Sequence, residues 1–282
     1  MTSSSKPSLS IVSFNVCGFH WGGVPFRQRM GTLYDFLRHQ SVSELHLQEV
    51  FTYGQLNELI KNIPLRHVAY QKGLNGPRGG LVSFFADHPS DVEFHPLDPS
   101  VLAWFDWLRV VPYVHKGVLI IHTNDGGIRY NLHLDPNHSG DWERPSRQVS
   151  LIARQLDEVA NIIIKMVEAT PPSELFVVGD FNLPHTAPTY TDFVRKVGLH
   201  DAFKGDDRPT YHKFFLPEGR IPHQIDHILY WSSKKILDGL IQPRQIFTEP
   251  IGDKDHAMYI SDHVGLAIEI DGKDDSMDPV LI

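Results

Sequence analysis

Phe176-Val177-Val178-Gly179-Asp180-Phe181-Asn182 is the stretch from which the rest of the chain can be read. A short apolar run enters a glycine, and an acid, an aromatic ring and an amide follow. Such a run reads as a buried strand with Gly179 at its end. Side chains two apart on an extended chain share a face, so Asp180 and Asn182 stand side by side there. Together they could grip a metal-bound phosphate. The same residue types also suit an ordinary turn, and the surrounding chain has to decide between the two readings.

Immediately upstream, Val149, Ile152, Leu156, Val159, Ile163 and Val167 recur at helical spacing and predict a helix over 149–167, with Arg147 and Gln148 in or near its first turn. Thr170-Pro171-Pro172 stops it. Downstream, 192–197 reads as a short helix closed by Gly198, 204–224 as a long polar loop, 225–231 as a strand, 248–259 as loop and 264–270 as the last strand. Toward the N-terminus, 8–16, 44–50, 81–86 and 127–134 read as strands. Val92–Phe94 extends the sheet, and a strand follows Lys116. Met30, Leu33 and Leu37 mark a helix over 26–39, and Leu56, Leu59, Ile60 and Ile63 mark another. Gly73–Gly80 reads as loop. No internal repeat or linker is visible. This alternation predicts one α/β domain over residues 1–271, followed by an acidic flexible tail over 272–282.

Composition narrows the function. The 282 residues include 41% hydrophobic and 21% charged types, an ordinary globular balance. A net charge of −8 disfavours tight nonspecific binding to nucleic acid, which needs many cationic contacts. The single cysteine, Cys17, excludes an intrachain disulfide. No apolar run is long enough for a membrane helix, and the first six residues lack a secretory apolar core. A cytoplasmic location is the expectation. The 17 histidines form no His-Glu-x-x-His pattern and no Cys-His cluster, so zinc is a poor fit.

Asn15, Glu49, His133, Asp180, Asn182, Asp226, Asp262 and His263 all fall at the ends of expected strands. Crevices beyond strand ends are where α/β sheets bind ligands. The set is rich in oxygen donors and lacks thiolate, which points to a hard cation, magnesium or manganese. Magnesium takes few protein carboxylates and completes its shell with water and substrate phosphate, so a phosphate ester is the natural substrate class.

Five stretches then carry a resemblance. Ser13-Phe14-Asn15-Val16, Leu47-Gln48-Glu49-Val50, Gly179-Asp180-Phe181-Asn182, Ile225-Asp226-His227 and Ser261-Asp262-His263, in this order, resemble the endonuclease/exonuclease/phosphatase superfamily over residues 9–270. The resemblance implies the deoxyribonuclease-I-like fold, a four-layer α/β sandwich of two packed mixed β-sheets flanked by helices. It also implies roles. Glu49 is the main metal carboxylate, with Asn15 beside metal and phosphate and Asp262 an auxiliary ligand. Asp180 positions the attacking water, and Asn182 contacts the scissile phosphate. His263 is the base or electrostatic partner of the attack, oriented by Asp226. His133 assists the leaving group, although Leu132 stands where family members more often have threonine.

Within the superfamily the chain looks most like the neutral sphingomyelinase branch, on its aromatic stretch before Lys116-Gly117-Val118-Leu119 and on Gly198-Leu199-His200-Asp201-Ala202-Phe203. A phospholipid head-group phosphodiesterase working at a membrane surface is the expectation. A nuclease, a small-molecule phosphatase and an inactive binding module are the alternatives. Trp104, Phe105 and Trp107 read as core, or else as an aromatic lip for lipid.

Overall fold

The computed structural model describes residues 9–19, 24–97, 116–232, 240–251 and 258–270. The aromatic stretch 101–108 and the acidic tail 272–282 lie outside the described residues, so the reading of Trp104, Phe105 and Trp107 is left where the sequence leaves it.

The first sheet is built from β1 (Leu9–Asn15), β2 (Glu44–Gln48), β3 (His67–Ala69), β4 (Val82–Phe85), β11 (Ile241–Ile246) and β12 (Gly265–Ile270), in the order β11-β12-β1-β2-β4-β3. The second holds β5 (Asp91–Pro96), β6 (Gly117–His122), β7 (Ile128–His133), β8 (Glu174–Asp180), β9 (His200–Asp201) and β10 (Asp226–Ser232), in the order β5-β6-β7-β8-β10-β9. Each sheet has one parallel pair, β1–β2 and β7–β8, and the other neighbours are antiparallel. The helices α1 (Phe26–His39) and α3 (Arg147–Ala169) cross over between the parallel strands. The helices α2 (Tyr53–Asn62) and α4 (Pro188–Val197) follow β2 and β8. The two sheets thus repeat one topological plan that the sequence does not betray.

Four layers result, as expected. Met30, Leu33 and Leu37 of α1 pack with Leu56 and Leu59 of α2 on the outer face of the first sheet. Ile152, Leu156, Val159 and Ile163 of α3 pack with Tyr190 and Phe193 of α4 on the outer face of the second. Each buried aliphatic side chain gains about 2 kcal/mol by leaving water. The helix ends follow local chemistry. Ser146 Oγ accepts Val149 N–H at 3.1 Å to start α3. Thr52 and Gln55 form a capping box for α2. Gly198, at φ +74°, closes α4.

Between the sheets the core is divided into three parts. Ile11, Phe176, Val178, Ile228 and Leu266 form an apolar block on one side. Leu81, Phe85, Leu119 and Ile121 form another on the other side. Between them runs a polar seam. Gln48 Nε2 donates to Asn131 Oδ1 at 2.8 Å, and Asn131 Nδ2 donates to Leu47 O at 3.1 Å. Further from the cleft, Arg129 donates to both oxygens of Glu44 at 2.7 and 2.8 Å and to Glu174 at 2.6 Å. Apolar contact is non-directional, whereas these bonds have geometry and fix one sheet's register against the other.

Three differences from the sequence reading have physical causes. Gly179 is an interior residue of β8, not its end. Its φ of +137° and a Cβ position 2.0 Å from Leu132 O admit only glycine. The helix expected over 192–197 begins earlier, because Pro188 sits in its first turn, where its missing N–H costs nothing. β3 and β11 carry no strong apolar pattern and lie at sheet edges, β11 with Pro243 inside it.

Candidate active site

The carboxyl ends of β1, β2, β7 and β8 converge on one edge of the sandwich, where β10 and the segment before β12 begin. The sequence therefore delivers its polar strand ends to one place. Asn15, fully buried, is central: its Nδ2 lies 3.3 Å from Glu49 Oε1, 3.1 Å from Asp180 Oδ2 and 3.5 Å from His263 Nε2. Asp180 Oδ2 is also 3.4 Å from His133 Nε2 and 3.7 Å from His263 Nε2. His263 Nδ1 meets Asp226 Oδ2 at 2.8 Å. Glu49, His133, Asp180, Asn182, Asp262 and His263 line a cleft of about 630 Å³. The sequence-derived residues are thus brought together, with Asn15 and Asp226 just beneath the cleft surface.

Asp180 and Asn182 do not meet as neighbours on an extended chain. Asn182 adopts φ +53°, and its N–H donates to Asp180 Oδ1 at 2.9 Å. The turn reading is therefore right about the backbone, and both side chains still face the cleft. Asn182 Nδ2 also donates to Leu134 O at 2.9 Å.

Much of the support was not legible beforehand. Arg29, buried in α1, donates to Val16 O at 3.0 Å, Cys17 O at 2.7 Å and Ile260 O at 2.6 Å, tying the loop after β1 to the segment before His263. Ser261 Oγ donates to Asn15 O at 2.7 Å and accepts His263 N–H at 3.2 Å. The stretch read as a loop over 204–224 pairs Tyr211 with His263 as a β-bridge. Thr210 Oγ1 accepts the N–H groups of Ile225 and Asp226 at 2.9 and 3.0 Å, and Tyr211 OH lies 3.2 Å from Asp262 Oδ2.

Lys116 is the site residue that sequence reasoning missed. Its Nζ lies 2.6 Å from His133 Nε2. Burial lowers the ammonium's pKa, while Glu49, Asp180 and Asp135 counter that shift. Burial and the Lys116 charge hold the His133 imidazole well below its ordinary range. His133 is therefore neutral, and its Nε2 accepts from Lys116. A lysine before an apolar strand is common, which left it without a signal of its own.

His263 behaves oppositely. Burial works against its charge, but the carboxylates of Asp226 and Asp180 outweigh this and hold the imidazolium well above the ordinary range. Asp180 is pushed up to about 7, chiefly by burial. Burial, and then the charge of Asp262, also raise Glu49.

Buried Asp180 and half-buried Glu49, both raised in this way and with a third carboxyl close by, make a site that a cation would relieve. The donors are oxygens. Burial and the neighbouring Asp262 and Glu49 push the Cys17 thiol up, so it offers no thiolate. The residues fit a hard divalent ion on the Glu49 side. Ligand atoms of Asp180, Asp226 and His263 also lie within 4.8 Å of one another. That trio is already joined by the His263–Asp226 hydrogen bond, which occupies Nδ1, so it suits proton chemistry better than ion binding.

A two-sheet sandwich with carboxylates and a His–Asp pair gathered at its strand ends is an arrangement suited to metal-assisted phosphoester chemistry. The profile of the Endonuclease/Exonuclease/phosphatase family matches residues 12–263, and the chain belongs to that family, a superfamily of metal-dependent phosphodiesterases, nucleases and phosphatases. No curated protein sequence matches the chain. Among solved structures it is similar to truncated TDP2 from Caenorhabditis elegans (15% identity, TM-score 0.69, covering 94% of this chain and 97% of that one). It is similar to sphingomyelinase C from Streptomyces griseocarneus (14%, 0.66, 94% and 100%). It is also similar to an endonuclease/exonuclease/phosphatase family protein from Bacteroides thetaiotaomicron (17%, 0.67, 95% and 96%). At these identities the likeness is one of fold.

Proposed function

We propose that this chain is a magnesium- or manganese-dependent phosphodiester hydrolase that cleaves the head group from a phospholipid, in the manner of a sphingomyelinase. The observation that carries the reading is the convergence of Asn15, Glu49, Asp180 and the His263–Asp226 pair within one cleft. Glu49, with Asn15 and Asp262, would hold the cation. When bound, the ion offsets negative charge building on the phosphoryl oxygens. Asp180, raised toward neutrality by burial, can accept a proton from an attacking water. His263, kept cationic and oriented by Asp226, stabilises the anionic phosphorane-like charge beside Asn15 and Asn182. The leaving oxygen needs a proton, and the Lys116 ammonium, held by His133 Nε2 at 2.6 Å and lowered in pKa by burial, can donate one and be left as the neutral amine.

Lipid is favoured over nucleic acid by the surroundings of the cleft. Phe19 and Ile221 line it and are exposed, as is Phe214, which neighbours the lining residue Phe215. Two of the five exposed large hydrophobics among the described residues therefore line it, and Phe214 stacks edge-on against the lining residue Phe215 with ring centroids 4.9 Å apart, a bias expected of an apolar contact surface. The lining residues include one lysine and one arginine. Lys116 is half-buried with its ammonium against His133 Nε2, and the Arg220 guanidinium bonds to the carbonyls of Ser139 and His138. A phosphate backbone would find little cationic guidance here. The test is a panel of sphingomyelin in mixed micelles, plasmid DNA, abasic duplex and soluble phosphate esters, each with magnesium and with chelator. Head-group release from sphingomyelin should exceed cleavage of either nucleic acid.

A further inference from the structure

Trp142 belongs to none of the stretches that carry the family resemblance, yet it lines the cleft and its ring packs against the core beneath α3. Its Nε1 donates to Asn182 O at 3.1 Å. Asn182 holds a left-handed backbone, a conformation that asparagine adopts more readily than most residues with a side chain. Its N–H is tied to Asp180 and its Nδ2 to Leu134 O, and the indole supplies the third tether, on its carbonyl. The same ring stands edge-on to His223, with centroids 4.8 Å apart. His223 O accepts the N–H groups of Thr210 and Tyr211, which lie beside Asp226 and His263. The loop after β7 and the loop before β10 therefore meet at Trp142, and Phe215 and Ile221 line the same cleft.

We propose that Trp142 is both a positioning residue and a specificity determinant: its N–H holds Asn182 at the phosphate, and its ring walls a chamber that takes an apolar group esterified to that phosphate. This rests on the hydrolase reading above. The two roles are chemically separable. Trp142→Phe keeps an aromatic wall and removes the N–H, whereas Trp142→Ala removes both.

The substrates are the methyl and octyl esters of p-nitrophenyl phosphate, used below the micellar concentration of the octyl ester. Trp142→Phe should lower kcat about ten-fold on both esters with KM held, as expected for loss of one hydrogen bond that acts in the transition state. Trp142→Ala should in addition raise KM about ten-fold for the octyl ester alone. Unchanged kcat in Trp142→Phe, or equal KM effects on the two esters, overturns the proposal. Thermal melts control for folding. A second measurement needs no turnover. The chain has five tryptophans, and the indole N–H signal missing in Trp142→Phe identifies Trp142 in a ¹⁵N spectrum. Octylphosphonate should shift that signal, bind the wild type more tightly than methylphosphonate does, and bind Trp142→Ala about ten-fold more weakly than wild type. Equal binding of the two phosphonates to the wild type, or of octylphosphonate to both proteins, overturns the proposal whether or not the esters are cleaved. Failure to cleave either ester with the binding difference intact overturns the hydrolase reading alone.

Discussion

His263 Nδ1 lies 2.8 Å from Asp226 Oδ2, and this one bond spans from the segment leading into β12 of the first sheet to the first residue of β10 in the second. The cationic centre that faces the phosphate is therefore built across the two sheets, and each half depends on the other for its geometry.

Replacing either partner should remove the same function. His263→Ala and Asp226→Asn should each lower turnover by about 10²–10³-fold, the range for losing one preorganised group that stabilises transition-state charge. The double variant should lose little more than the worse single variant, because the two act as a unit. Steady-state kinetics at saturating cation decides this, and multiplicative losses would separate the pair.

Cation binding should show itself in stability. Asp180 has its pKa raised from an ordinary 3.8 to about 7. A carboxyl raised in the folded state favours folding below pH 3.8, and that contribution is lost as pH rises through 7. The chelated protein should therefore lose stability through this site between about pH 4 and 7. Added magnesium or manganese should raise the melting temperature more at pH 8 than at pH 5. Calorimetry at the two pH values tests this, and an equal shift at both would count against a cation among these carboxyls.

At the opposite end of the polar seam the sign reverses. Burial works against the Glu44 charge, but Arg129 and His46 outweigh it and hold the carboxyl at about 2, against an ordinary 4.5. Its stabilising contribution is present above pH 4.5 and is lost as pH falls toward 2, amounting to about 3 kcal/mol. Arg129→Met, which leaves Glu44 and Glu174 short of a cation, should cost about 3–5 kcal/mol in urea unfolding at pH 7. A loss below about 1 kcal/mol would mean that the seam carries little stability.

The sequence made most of this architecture legible because the strands beside the cleft are apolar runs ending in residues with few other reasons to be there. Asp180, Glu49 and His263 could be picked out on that ground. The edge elements could not. Gln242, Pro243 and Arg244 give β11 no apolar alternation, and its pairing with β12 is a tertiary event. Lys116 and Thr210 escaped for a related reason. Their importance comes from partners 17 and 16 residues away, His133 and Asp226, and no local pattern records such a contact. Asp180 and Asn182 were placed in the cleft correctly for an incomplete reason, since a left-handed turn brings them there.

The apolar mouth offers a test of lipid contact that spares the chemistry. Phe214 and Ile221 are each 73% exposed, so replacing both with Ser should leave the melting temperature within about a degree or two. Vesicle hydrolysis should drop about ten-fold or more while hydrolysis of a soluble ester holds, because apolar side chains at the bilayer interface contribute to surface affinity. Equal effects on both substrates would argue against a docking role.

The central claim is that this cleft hydrolyses phosphodiesters with a divalent cation held on the Glu49 side. Its most direct test is hydrolysis of sphingomyelin in mixed micelles by wild type, Glu49→Gln and His263→Ala, titrated with magnesium after thorough chelation. The account predicts no wild-type activity without the cation, full activity on its return, a higher magnesium requirement for Glu49→Gln, and a turnover loss in His263→Ala that no magnesium concentration restores. Wild-type hydrolysis that persists under chelation, or a Glu49→Gln variant with an unchanged magnesium requirement, would contradict it.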